Sequence, residues 1–248
     1  MTAGIVANRN RDCGLVYTQE IESFLKAKGV ELVPDGQKAD FWVVLGGDGT
    51  MLRAAHQAAL LDVPLLGINL GNMGFLTDVD RQDGFTALED VIAGHCQYQR
   101  RLMLSASSGL ALNDVFVSST GSLVYFSVYV NDLHMDDIRA DGIIVATPTG
   151  STAYNLSAGG PILAPYGEML VITAVCPHSL STRPWVIPGD DTVRIVPKSK
   201  ASVVLDGGFH CTLEPEEGVE ISRASVYATI IKTTSVHFYE VLRKKKIL

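Results

Sequence analysis

The chain has 248 residues, 47% apolar and 19% charged, enough to bury one full core or two, and carries a formal net charge of −7. That balance excludes the basic stripe of a nucleic-acid surface, so no nucleic-acid partner is expected. Its apolar runs are broken by Gly, Pro or polar residues well short of the ~20 positions needed to cross a bilayer, so no membrane partner is expected either.

The first residues, "MTAGIVANRN", lack a basic stretch followed by an apolar one, so no secretory signal is expected and a cytoplasmic location follows. Four cysteines, Cys13, Cys96, Cys176 and Cys211, are far apart and show no CxxC spacing; they read as reduced, mostly buried thiols.

In chain order, residues 3–8 read as a short buried strand and 15–29 as an amphipathic helix ending at Gly29. Residues 40–45 and 63–69 are two further strands, with "TMLRAAHQAALL" as the helix between them, and 84–94 is another short helix. Strands alternating with helices predict an α/β N-terminal domain with a parallel sheet, over residues 1–97. From 98 to 231 the segments are short, β-branched or alternating, and separated by turn residues, which predicts an all-β, sandwich-like C-terminal domain. Within it, 151–161 follows a strand and can begin a helix. Residues 232–248, ending in "RKKK", are expected to return to the N-terminal domain, the basic run complementing a helix end rather than anchoring to a membrane.

Chemistry concentrates in a few stretches. "VVLGGDGTMLRAA" (43–55) runs from an apolar strand through a glycine-rich bend into a helix, presenting backbone N–H groups and a helix N-terminus to an anion such as phosphate. Thr50 is placed to cap that helix. Asp48 would repel a phosphate, but it suits a base or orienting group beside an attacking hydroxyl, or a partner of a nucleotide's metal. An ordinary turn in which Asp48 caps the helix is the alternative. Neither GxxxxGK[ST] nor GxGxxG occurs in the chain.

"GINLGNMGFLTD" (67–78) repeats the strand and glycine-rich turn and adds Phe75, a ring for a ligand or for the core. "LNDVFV" (112–117) places Asn113 and Asp114 in an apolar strand, where one of the two must be buried or at a rim. "IRADGIIVATPTGSTAYNLSAGGPIL" (138–163) combines Asp141 with hydroxyls and glycines able to wrap a planar polar ligand. The histidines form no HxxxH pair or Cys/His cluster, so no metal is expected to be held by protein residues alone.

Taken in order, "GGDGT", "NLGNMGFLTD", "LNDV", "DGIIVATPTGSTAYNLSAGGPI" and "CPHSLSTRPWVIP" resemble the NAD kinase family over residues from about 40 to 190. "GGDGT" alone is shared with lipid kinases and phosphofructokinases; the long "DG…TPTGSTAY" stretch narrows the resemblance. It implies an α/β domain followed by a β-rich one with NAD bound between them, and a homodimer or homotetramer as the working form. The implied reaction moves the terminal phosphoryl group of ATP, or of inorganic polyphosphate, to the 2′-hydroxyl of the adenosine ribose of NAD, making NADP. A divalent cation, Mg2+ or Mn2+, accompanies the donor.

By the same resemblance Asp48 accepts or orients the hydroxyl proton, while Gly47 and Gly49 leave room for phosphates and Arg53 meets one of them. Asn113 and Asp114 hold the adenosine, and Asp141 binds the nicotinamide-side ribose with Arg139 nearby as a cation. Thr152, Ala153 and Tyr154 contact the adenine region, with Asn155, Leu156 and Ser157 just beyond, and Phe75 lines the cleft. Two features depart from many relatives: Asp114 stands where Glu is common, and "LDGGFH" has Gly208 where Gln often follows the Asp-Gly pair. The small N-terminal extension suggests a compact prokaryotic-type enzyme. The competing expectations are a lipid kinase sharing the turn, for which no basic amphipathic helix is found, and a non-catalytic NAD or NADP sensor.

Overall fold

The computed structural model describes residues 1–71, 74–77, 79–121, 123–233 and 237–247. Asn72, Met73 and Asp78, within the "GNMGFLTD" stretch, lie outside these. The chain divides into two compact units, Met1–Arg101 with Val226–Leu248, and Leu102–Ser225. The division therefore falls at 101/102 and 225/226, because the strands that straddle it change units partway along their length.

Unit 1 begins with β1 (Thr2–Ala7), α1 (Val16–Ala27) and β2 (Glu31–Leu32), and continues through β3 (Phe41–Gly46), α2 (Asp48–Leu61), β4 (Leu65–Asn69), β5 (Val79–Asp80) and α3 (Gly84–Ala93). β3 is buried at every position, the continuous apolar run expected of a parallel strand covered on both faces. The strands pair in parallel in the order β2-β1-β3-β4. Phe41, Val43 and Leu45 join Tyr17, Ile21 and Leu25 of α1 and Leu88 of α3 in one core, which puts those helices on one face of the sheet.

α1 buries Tyr17, Thr18, Ile21 and Leu25, the stripe of an amphipathic helix, and stops at Lys28 before a left-handed Gly29. It is shorter than the 15–29 expected because residues 13–15 form a separate 3-10 turn. α2 starts two residues earlier than expected, at Asp48, with Gly47 extended at its N-cap.

Unit 2 is antiparallel throughout its described pairings. It comprises β6 (Gln97–Ala106, entered from unit 1), β7 (Gly109–Ala111), β8 (Asp114–Ser119), β9 (Val124–Val130), β10 (Leu133–Ala140) and β11 (Gly142–Ala146). One helical turn, α4 (Tyr154–Ser157), follows, then β12 (Met169–Val175), β13 (Trp185–Pro188), β14 (Val193–Pro197), β15 (Ala201–Leu205), β16 (Gly208–Leu213) and β17 (Val219–Lys232). β10-β9-β14-β17 form one sheet and β13-β12-β11-β8-β15-β16 the other. Alternate residues of both, among them Val115, Val117, Phe126, Val128, Ile143, Val145, Val193 and Ile195, make a single core, so this unit is a β-sandwich. On the opposite face of the second sheet, Ile144, Ala146 and Val171 pack with Phe116, Ala158 and Leu163, so the segment after β11 lies over that sheet.

The last part of β17 re-enters unit 1, where Ile230 pairs in parallel with Leu65, and α5 (Phe238–Lys244) follows it there. All four cysteines are free, and Cys13 and Cys176 are exposed, which corrects the expectation of mostly buried thiols: both sit in turns rather than in the elements that form the cores. Phe126 is fully buried in the sandwich core. Replacing Phe126 with Ala should cost about 3–5 kcal/mol of stability, read from denaturant unfolding. A cost under about 1 kcal/mol would show that this ring is not a core element.

Candidate active site

In unit 1 the bends after β3 and β4 are tied together by one carboxylate. Gly46 pairs with Asn69 at the ends of the two strands, so the glycine-rich bends that follow start side by side. Asp48 does not cap α2. It is the first helical residue, and its carboxylate reaches across to accept from the backbone N–H of Phe75 at 2.8 Å, Leu76 at 3.0 Å and Thr77 at 3.3 Å, and from the Thr77 hydroxyl at 3.4 Å. Three of these bonds end on Oδ1; among the described residues Oδ2 accepts only from Phe75. A carboxylate oxygen with one partner still has a lone pair for a hydroxyl.

Gly74 must be glycine, because a Cβ there would overlap the Asp48 carboxylate. A Cβ at Gly49 would meet nothing within 4 Å among the described residues, so these leave that side of the bend open. Thr50, expected as a cap, instead accepts from the Asn8 amide at 3.2 Å, because α2 begins before it. Phe75 packs its ring 6.1 Å from that of Phe238, with the Lys245 ammonium 5.1 Å from its centre. Arg53, on α2, is exposed.

In unit 2 a second carboxylate performs the same operation. Asp206, in the hairpin bend between β15 and β16, accepts from the backbone N–H of Leu112 at 2.8 Å, Asn113 at 2.7 Å and Asp114 at 3.1 Å. The "LDGGFH" stretch, noted in the sequence for Gly208, supports the Asn113–Asp114 bend through Asp206, a role invisible without the pairing of β8 with β15. Asn113 lies before β8 and is partly exposed, while Asp114 opens the strand and is buried. Burial first, and the Asp206 charge second, push the Asp114 carboxyl up to about 7.

The stretch after β11 is wired to the same bend. Thr147 donates its hydroxyl to Leu112 O at 2.6 Å and its N–H to Asn113 O at 2.9 Å. Thr149 is buried and its hydroxyl has no hydrogen bond among the described residues, which marks a donor the sequence reading did not single out. Tyr154 is exposed and sets its ring edge-on to Phe116 at 5.2 Å. Burial, then the charges of Cys176, Asp141 and Asp114, hold its phenol above the ordinary range, so these groups share one neighbourhood and Tyr154 stays a neutral donor.

Asp141 occupies the exposed bend between β10 and β11. Thr152, Ala153 and Leu156 are partly buried and Ser157 is exposed. Asn155 is fully buried; it donates to Ser151 O and Pro161 O and accepts from Thr173, so its side chain holds the 151–161 segment in place. Arg139 is exposed 5.8 Å from the Tyr125 ring centre, beside a cavity of about 410 Å³ also lined by His178 and Arg183 of "CPHSLSTRP".

The raised Asp114 carboxyl has a consequence for stability. Its folded value of about 7 lies above the ordinary aspartate value of 3.8, so between those pH values the native state binds more protons than the unfolded chain. Stability from this group is therefore lost as pH rises through that window. Asp114→Asn, which cannot ionise, should gain on the unsubstituted protein by a few kcal/mol between pH 4 and pH 7, read from melting temperatures across the range. A constant difference would show that Asp114 is ionised throughout.

The chain is similar to known proteins over nearly its whole length. Residues 34–96 match the family model of the ATP-NAD kinase N-terminal domain, and residues 112–233 that of the ATP-NAD kinase C-terminal domain. The NAD kinase of Desulforamulus reducens is 40% identical over 247 aligned positions, covering 93% of this chain and 86% of the relative. That of Lachnoclostridium phytofermentans is 35% identical over 276 positions, covering 97% of each. Among solved structures, an NAD kinase from Archaeoglobus fulgidus in complex with ATP matches with a TM-score of 0.86 at 28% identity, covering all of both chains. A yeast NADH kinase complexed with NADH, at 22% identity, shares the fold with a TM-score of 0.83 over 98% of this chain and 86% of its own. With both domain models matched and relatives this similar over nearly its whole length, the chain belongs to the NAD kinase family.

Proposed function

We propose that the protein transfers the terminal phosphoryl group of ATP, or of inorganic polyphosphate, to the 2′-hydroxyl of the adenosine ribose of NAD, and that Asp48 receives the hydroxyl proton. The observation that carries this reading is the lopsided coordination of Asp48, whose Oδ1 is held by three donors among the described residues while Oδ2 has one. The carboxylate is thereby fixed in orientation and still able to accept from the attacking hydroxyl. The new bond forms between O2′ and the terminal phosphorus, the bond to the leaving phosphate chain breaks, and the proton passes to Asp48 Oδ2. Phosphoryl transfer of this kind rests on positioning and charge stabilisation rather than on a covalent nucleophile. Membership of the NAD kinase family supports the acceptor, and the ATP of the archaeal relative supports the donor.

The other roles follow the chemistry of each group. Asn113 and Asp114 hold the adenosine, with Asp114 able to donate as well as accept near neutral pH. Thr152, Ala153 and Tyr154 meet the adenine region, followed by Leu156 and Ser157, while Asp141 takes the nicotinamide-side ribose and Arg139 supplies a cation for phosphate. Gly47 and Gly49 let phosphates approach the backbone, Phe75 lines the site and Arg53 meets a phosphate.

Among the described residues no group of three or more His, Cys, Asp or Glu side chains is placed to hold a metal ion. The divalent cation, Mg2+ or Mn2+, accompanies the donor's phosphates as part of the substrate. A homodimeric or homotetrameric working form and a cytoplasmic location complete the proposal. No described helix is long and apolar enough to cross a membrane.

The test is NADP formation from NAD with Mg2+, comparing ATP, polyphosphate and no donor. Asp48→Asn should lower the rate by roughly 10²- to 10⁴-fold while NAD still binds. Full activity in that variant would remove Asp48 from the chemistry, and NAD binding without turnover in the unsubstituted protein would favour the sensor. Tyr154→Ala should mainly raise KM for NAD; an unchanged KM would take Tyr154 out of the site.

A further inference from the structure

The parallel sheet of unit 1 reverses its winding between β1 and β3: from β1 the chain moves to β2 on one side, then returns to place β3 and β4 on the other. In open α/β sheets the ligand crevice opens at this switch point, beyond the C-terminal ends of the two strands. The bend carrying Gly47 and Asp48 follows β3. The residues after β1, "NRNRD" (8–12), form the other lip.

That lip is rigidly built. Asn8 donates its backbone N–H to Leu45 O at 2.8 Å and its side-chain amide to Thr50 at 3.2 Å, which ties it to β3 and α2. Arg11 and Asp12 donate their backbone N–H groups back to Asn8 O at 2.9 and 3.0 Å. Asp12 is buried and accepts from the Tyr17 N–H, the Thr18 N–H and the Thr18 hydroxyl at 3.0, 2.8 and 2.6 Å. With both flanks fixed, the Arg11 guanidinium lies directly over the backbone of Gly71, where a Cβ would overlap it, and within 3.8 Å of a Cβ placed on Gly47. Gly71 is itself clamped by buried Asn69, which accepts its N–H at 3.0 Å and donates to its carbonyl at 3.1 Å.

The guanidinium makes no hydrogen bond or ion pair of its own with the described residues. A planar fork of five donors, held over bare glycine backbone beside the bend and left without a carboxylate, suits the oxygens of a phosphate chain. We propose that Arg11 is a binding residue for the phosphates of the phosphoryl donor, gripping the chain from the β1 side while the backbone of the Gly47–Gly49 bend receives it from the β3 side. This rests on the assignment of donor phosphates to that bend. It makes the β1 lip a determinant of donor affinity, and glycine at 71 a requirement of the guanidinium's seat.

The experiment measures KM for ATP and for NAD separately, and ATP binding directly by calorimetry, in the unsubstituted protein, Arg11→Gln and Arg11→Lys. Arg11→Gln should weaken ATP, by KM and by calorimetry, about ten- to hundredfold, the value of a charge-assisted hydrogen bond or two, while KM for NAD stays within about twofold. Arg11→Lys, which keeps the charge but loses the fork, should recover part of the loss. Unchanged ATP binding, or a loss shared equally by NAD, would overturn the proposal. Should Arg11→Gln fail to fold, Arg11→Lys alone decides, with ATP weakened severalfold and NAD unaffected as the supporting result. Failure of the kinase assignment itself would show separately, as no NADP from the unsubstituted protein, with calorimetry still reporting on Arg11.

Discussion

The carboxylate of Asp48 and the backbone amides it holds are the constraint around which the α/β unit is organised. Three consecutive N–H groups, from Phe75 to Thr77, converge on one side chain from the next strand-to-helix connection. An aspartate is short enough to sit in the first turn of α2 and still reach the neighbouring bend, where its two carboxyl oxygens accept the N–H groups offered. The interaction also explains why the glycines lie where they do. Gly74 makes room for the carboxylate itself, and the open side of Gly49 leaves space in front of it.

The β-sandwich repeats the device with Asp206, which gathers the amides of Leu112, Asn113 and Asp114. Backbone N–H groups that would otherwise be left unpaired at the start of β8 are satisfied from a hairpin bend, and the loop carrying the candidate ribose contacts gains a fixed shape. The cost falls on Asp114, buried beside a second carboxylate and therefore slow to ionise. Asp206 is thus an acceptor committed to backbone, while burial holds the neighbouring Asp114 carboxyl up to about 7.

Much of the architecture was legible in the chain itself. The unbroken apolar run of β3, the amphipathic stripe of α1 and the change to short alternating segments after residue 97 follow from side-chain periodicity, a local property. The glycine-acid-glycine bend marked Asp48 for the same reason, since a strand entering a helix through such residues exposes backbone to a ligand whatever surrounds it. Element ends were less legible. The helix after β3 begins at Asp48 rather than Thr50, and Asn155 turns inward to Thr173 instead of outward, because caps and side-chain directions are chosen by neighbours distant in sequence.

By itself, then, the sequence determined the two classes of secondary structure, their order, and the stretches dense in phosphate-compatible glycines, hydroxyls and carboxylates. Only the tertiary structure decided which of those groups meet. Asp48 finds its amides 27 to 29 residues away, Asp206 its own 92 to 94 residues away, and Arg11 is set on Gly71 by the parallel register of β1, β3 and β4. The physical reason is that propensity and periodicity act over a few residues, whereas hydrogen-bond partners, burial and charge depend on which loops the sheets bring to the same end.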